Sequence, residues 1–170
     1  IQIGGHTWQC IAGYGHAPFY IFFFCADLQL LISGDMVLPR ISTNLSVFDG
    51  EPTANPLALF LESLEEFQPL PRDTLVLPSH GKPFTGLHTR IEQLETHHSE
   101  RLAEVIDACT QKACSSADIV PIMFKRTLDA HQITFALGEA AAHLHFLWCR
   151  GKLRRVLDAA GVYRFVVSPT

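Results

Sequence analysis

Paired cysteine spacing, long apolar runs and low-complexity sequence are all missing from this chain of 170 residues. Cys10, Cys25, Cys109, Cys114 and Cys149 make an odd number with no Cys-x-x-Cys spacing. That argues against a disulfide framework or a zinc knuckle and for a reducing compartment, so the expected location is cytoplasmic. The longest apolar run, Phe19 to Ala26, falls far short of the roughly 20 residues that a spanning helix needs, so no membrane partner is expected. No signal peptide is visible, although the first residue is Ile1 rather than Met, which leaves targeting open. There are no internal repeats. Charged residues are only 18% of the chain and hydrophobic ones 48%, a balance that reads as soluble and globular.

Charge is also uneven. Residues 1–109 hold 5 Lys/Arg against 13 Asp/Glu, and residues 110–170 hold 8 against 4. An acidic first part and a basic tail point to two units with different surfaces, and a site for cations sits naturally in the acidic one.

Alternation over Thr7 to Ala12, ended by Gly13-Tyr14-Gly15, predicts a strand running into a loop. Tyr20 to Cys25 and Gln29 to Ser33 predict a hairpin, and the run Phe22-Phe23-Phe24 predicts a strand buried on both faces. Residues 36–54 have no period and read as a long loop over a site. Asn55-Pro56 opens a helix whose core face is Leu57, Phe60, Leu61, Leu64 and Phe67. Thr74 to Leu77 is a short apolar strand stopped by Pro78. From Gly86 to about Cys109 one long amphipathic helix is predicted. Ser115 to Asp118 forms a capping box, Asp129 caps a longer helix ending near Gly151, and two short strands flank Asp158 to Gly161. Helix, helix, hairpin is the layout of a winged helix.

Three motifs stand at strand ends, where rigid scaffolds place chemistry. They are Gly13-Tyr14-Gly15-His16-Ala17-Pro18, Leu30-Leu31-Ile32-Ser33-Gly34-Asp35 and Leu77-Pro78-Ser79-His80-Gly81. A hydrolase that needs hydroxide at neutral pH can use zinc, which lowers the pKa of bound water from about 15.7 to about 7. Two such ions need a bridge, which a carboxylate supplies, and imidazoles complete each sphere. Taken alone, each motif is an ordinary loop histidine or strand-ending turn. Their order, the apolar strand before each, and the intervals of 19 and 45 residues between His16, Asp35 and His80 form a joint pattern.

That pattern resembles the metallo-β-lactamase superfamily. Residues 1–84 resemble the C-terminal αββα half of its fold, and residues 85–170 resemble the long helix and winged-helix extension of the lactamase-β-like and hydroxyacylglutathione-hydrolase-like branch. The resemblance implies an α/β (α+β) fold and a dinuclear centre holding two zinc ions in the complete parent, with iron or manganese as alternatives. His16 would bind the first metal, His80 the second, and Asp35 would bridge both as the catalytic carboxylate. Metal-bound hydroxide would then act on an ester, thioester or phosphodiester.

Two departures from the family's pattern matter. The His-x-His-x-Asp-His motif does not occur, which leaves two protein ligands per metal where a catalytic zinc usually has three. The resemblance therefore implies a chain that is inactive by itself. Where the family often writes a second histidine after the first motif, this chain has Tyr20, a change expected to alter pocket shape or support for the ligands. In this fold the two halves bury their sheets against each other. An uncovered face costs about 25 cal/mol per Å², so self-association or pairing with the missing N-terminal half is expected.

The remaining histidines, among them His97, His98, His143 and His145, read as core or surface residues, as do Cys109 and Cys114. The basic cluster Arg150, Lys152, Arg154 and Arg155 reads as a solvated hairpin or packing surface. The alternative is a non-catalytic winged-helix module binding a protein partner or nucleic acid through that cluster.

Overall fold

A computed structural model of the chain describes residues 1–169. Two compact units are present, the first made of residues 1–43 and 58–96, the second of residues 44–57 and 97–169.

The first unit is built on alternating apolar residues. After the small hairpin β1 (Gln2–Ile3) and β2 (His6–Thr7), four strands form one sheet in the order β3 (Gln9–Gly13), β4 (Tyr20–Cys25), β5 (Leu30–Gly34) and β6 (Leu75–Pro78). The pairs β3–β4 and β4–β5 are antiparallel and β5–β6 is parallel. A parallel pair needs a crossover, and α1 (Pro56–Glu65) lies on that connection. One sheet face is dry: Ile11, Phe22, Phe24 and Leu31 are buried, as are Phe60, Leu64 and Phe67 of α1 and the turn after it. The rings of Phe22 and Phe67 meet edge to face at 4.9 Å.

The other face is not closed. The register aligns Cys10, Phe23, Ile32 and Leu77 in one row across the four strands. Phe23 is half-buried and Ile32 is 40% exposed. Burial of the Phe22-Phe23-Phe24 run on both faces is therefore not what the structure shows. A run of phenylalanines fixes strand type, but whether its second face is covered depends on what packs there.

In the second unit, α2 (Leu87–Gln111, shared with the first unit) is followed by α3 (Ser116–Met123), α4 (Ala130–Cys149) and the hairpin of β7 (Leu153–Leu157) and β8 (Tyr163–Val167). The Ser115–Asp118 capping box and the Asp129 cap form as the sequence predicts, and the latter proves to be a second capping box with Gln132. Cys114 extends the hairpin by a bridge to Phe165. The core holds Ile119, Ala140, Leu144, Leu147, Leu153 and Phe165.

Candidate metal centre

One end of the four-stranded sheet carries all three motifs. Gly13 pairs with Tyr20 and Gly34 pairs with Pro78, so the loop after β3, the turn after β5 and the loop after β6 emerge along one edge. His16 lies in the first loop, Asp35 on the second turn and His80 in the third loop. The amide of Ser79 donates to the Gly34 carbonyl at 3.0 Å and ties the last two together. The Ser33 hydroxyl donates to the Val37 carbonyl at 3.0 Å and closes the turn around Asp35.

Tyr20, standing where the related motif often has histidine, packs its hydroxyl end onto Gly34. A Cβ at that glycine would collide with the Tyr20 phenol, and its φ of +54° is itself one that side chains disfavour. The Tyr20 ring also stacks on Phe22 at 5.3 Å. Tyr20 thus braces the backbone immediately before Asp35.

His16 Nε2 lies 3.6 Å from Asp35 Oδ2, and His80 Nε2 lies 3.3 Å from Asp35 Oδ1. The two imidazoles address different oxygens of one carboxylate. No choice of one ligand atom from each of the three places all of them within 4.8 Å of one another, so they do not close around a single ion. Thr43 Oγ1 is 2.9 Å from His16 Nδ1, which orients the ring and leaves Nε2 toward Asp35. Asp35 Oδ1 is buried, and despite the nearby His80 nitrogen it accepts no hydrogen bond. A buried carboxylate oxygen without a proton donor is the kind of atom a cation satisfies. Imidazole nitrogen and carboxylate oxygen are also the donors that zinc, iron and manganese accept. The residues present therefore offer donors that fit a metal centre.

Other groupings were not legible in the sequence. His6, Cys25 and Asp27 bring one ligand atom each to within 4.8 Å, with His6 Nδ1 3.7 Å from Asp27 Oδ2. Asp27 is largely exposed there, and a surface contact of this length is ordinary between neighbouring polar side chains. Nothing in the local sequence signals this trio, because it needs β2 to fold beside the β4–β5 turn.

His98 and His143 are both buried, with His98 Nδ1 3.2 Å from His143 Nε2 and His143 Nδ1 2.8 Å from the Glu139 carbonyl. Burial, together with His143 and His97 nearby, pushes His98 down to about 3, and burial pushes His143 down to about 4. Burial raises the Glu139 carboxyl to about 7 against the pull of Arg101. Cys109 and Cys114 are buried thiols, as expected; burial above all, then Cys114, raises Cys109 to about 12.

Two of the four residues of the basic cluster, Arg150 and Arg155, are engaged with aromatic rings. The Arg155 guanidinium lies 3.9 Å from the Trp148 ring centroid and 4.3 Å from that of Tyr163, and Arg150 lies 4.3 Å from that of Phe146. Arg155 also donates to the Pro52 carbonyl.

The chain is similar to metallo-beta-lactamase-like proteins. Residues 102–168 match the metallo-beta-lactamase-like C-terminal domain family. A crystal structure of a beta-lactamase domain protein from Burkholderia ambifaria is 57% identical, covers 99% of this chain and 50% of its own, and superposes with a TM-score of 0.96. A metallo-beta-lactamase family protein from Thermus thermophilus is 26% identical, with 98% of this chain and 51% of its own covered and a TM-score of 0.83. A curated relative from Bacillus subtilis (strain 168), named "Probable metallo-hydrolase YqjP", is 24% identical over 163 residues, 94% of this chain and 50% of its own. The chain spans about half the length of each. Its fold is the mixed α/β fold of that group, and no helix among the described residues is long and apolar enough to cross a membrane.

Proposed function

We propose that this chain contributes His16, Asp35 and His80 to a dinuclear metal-dependent hydrolase centre acting on an ester, thioester or phosphodiester. The observation that carries the reading is the split address of one carboxylate: His16 lies on one oxygen, His80 on the other, and the second oxygen is buried without a hydrogen bond. The relatives, which include a protein named a metallo-hydrolase, support it. When bound, two divalent ions lower the pKa of water and neutralise charge developing on a substrate oxygen. The chain's own residues position that chemistry. Thr43 fixes the His16 ring, Ser79 locks the His80 loop to the Gly34 carbonyl, and Tyr20 packs beneath the turn that presents Asp35.

Two protein ligands per ion are one short of the usual three, so these residues alone bind metal weakly and turn over little. The open row of Cys10, Phe23, Ile32 and Leu77 is read as the surface against which the rest of the whole protein, or a second copy, packs.

Elemental analysis of the purified whole protein, wild type against Asp35→Ala, tests this. Bound zinc, iron or manganese in the wild type and its loss in the variant are expected. A wild-type protein with none of these metals, and with no change on chelation, overturns it.

A further inference from the structure

A pocket of about 470 Å³ opens beside His80, between the segments 38–41 and 80–84. Its volume is that of a small-molecule site. Leu38, Pro39, Ile41, Pro83 and Phe84 give it an apolar body, and Arg40 and Lys82 stand on its two walls.

The walls are built rather than incidental. Arg90 of α2 donates from Nε to the Leu38 carbonyl at 2.6 Å and from Nη2 to the Ile41 carbonyl at 2.9 Å. Phe84 is anchored to Val76 of β6 by a reciprocal pair of backbone bonds at 2.8 and 3.1 Å. Gly81, at φ +89°, lets the walls meet, since a Cβ there would stand 2.7 Å from Pro39 Cγ.

Positive charge is concentrated around the pocket. The first unit holds four Lys/Arg against eight Asp/Glu, yet three of the four cations, Arg40, Lys82 and Arg90, are at this pocket. Arg90 is engaged with the backbone. Arg40 and Lys82 are exposed and have no ion-pair partner among the described residues. Two unpaired cations at the mouth of an apolar cleft, in a unit otherwise acidic, attract an anion carried on an aliphatic body.

We infer that the pocket holds the acyl part of an anionic ester or thioester, its aliphatic segment between the two walls, its carboxylate or phosphate on Arg40 and Lys82, and its scissile carbonyl toward His80. This rests on the hydrolase reading. In the reaction, water adds to the carbonyl carbon and the carbon–oxygen or carbon–sulfur bond breaks. The acyl group leaves as a carboxylic acid, and the alcohol or thiol takes the remaining proton.

The test uses the whole protein and begins with binding. Octanoate, octyl phosphate and neutral octanamide are titrated by calorimetry into wild type, Arg40→Met/Lys82→Met and Asp35→Asn. The proposal expects at least one anion to bind ten-fold or more tighter than octanamide. It expects the double variant, with an unchanged circular dichroism spectrum, to lose that advantage, and Asp35→Asn to keep it. Whichever anion binds tighter identifies the headgroup. Equal binding of all three probes, or an unaltered preference in the double variant, overturns it. Metal content and thioester turnover are measured on the same samples. Selective anion binding without metal or turnover removes the hydrolase reading and leaves an anion site. Metal and turnover without the preference remove the pocket assignment alone.

Discussion

Asp35 in the first unit and Asp118 in the second are the same side chain used in opposite ways. Asp118 receives Lys112 Nζ at 2.6 Å, the Ser115 hydroxyl at 2.6 Å, the Ser115 amide at 2.9 Å and Arg164 Nη1 at 2.8 Å. The Lys112 hydrogen bond first, then those from Ser115, hold its carboxyl well below the usual carboxylate range. Asp35 sits between two imidazoles, with one oxygen buried and receiving nothing. A carboxylate that closes its own network caps a helix and staples a hairpin. A carboxylate whose surroundings stop short is held for something else. That difference, rather than residue type, separates a structural acid from the one proposed here as a metal ligand.

The comparison can be broken most forcefully at the turn that presents Asp35. Gly34→Val forces a β-branched residue into a left-handed conformation and against Tyr20, and should cost about 3 kcal/mol or more in urea unfolding. Adding Tyr20→Ala should return part of that loss, because it removes the collision but not the strain. A neutral Gly34→Val would mean that the turn is not pinned.

Thr43→Val tests whether orientation of His16 matters to the open carboxylate. It removes the hydroxyl 2.9 Å from Nδ1 while keeping the shape. Zinc affinity of the whole protein should fall roughly 10- to 100-fold, with thermal stability nearly unchanged. Unaltered affinity would show that the ring is fixed by other contacts.

The smallest effect is a pH dependence within the second unit. Unfolded histidines take up protons near 6.5, whereas folded His98 and His143 wait until about 3 and about 4. The unfolded state therefore binds more protons as pH falls below 6.5, and these groups lose stability for the unit through that fall. Glu139 runs the other way, because its folded value of about 7 exceeds its ordinary 4.5. Its contribution is complete below 4.5 and is lost as pH rises through 7. Glu139→Gln should raise stability at pH 8 by on the order of 1 kcal/mol and change little at pH 4. Urea unfolding followed by Trp148 fluorescence in a Trp8→Phe background reads this out. Equal effects at both pH values would refute the assignment to Glu139.

Local signals carried most of the secondary structure. The capping residues Ser115 and Asp129, the proline at Pro56 and the apolar period of α2 are each decided within a few residues, so their elements form where the sequence places them. The three motif loops were legible for the same reason, since each follows its own strand. What escaped were contacts between distant segments. Thr43 on His16 and His98 on His143 join residues 27 and 45 positions apart, and no periodicity encodes such meetings. The phenylalanine run misled because strand propensity says nothing about which sheet face is covered.

The parallel pairing of β5 with β6 has a kinetic consequence. The β4–β5 hairpin closes over a few residues and presents the Asp35 turn early. His80 arrives only when a segment 45 positions further along has wrapped through α1 and docked on β5. Non-local parallel pairing of this kind is slow compared with formation of a local hairpin. The topology thus favours placing the carboxylate before its second imidazole, so that the proposed metal cradle is complete only once the sheet has closed.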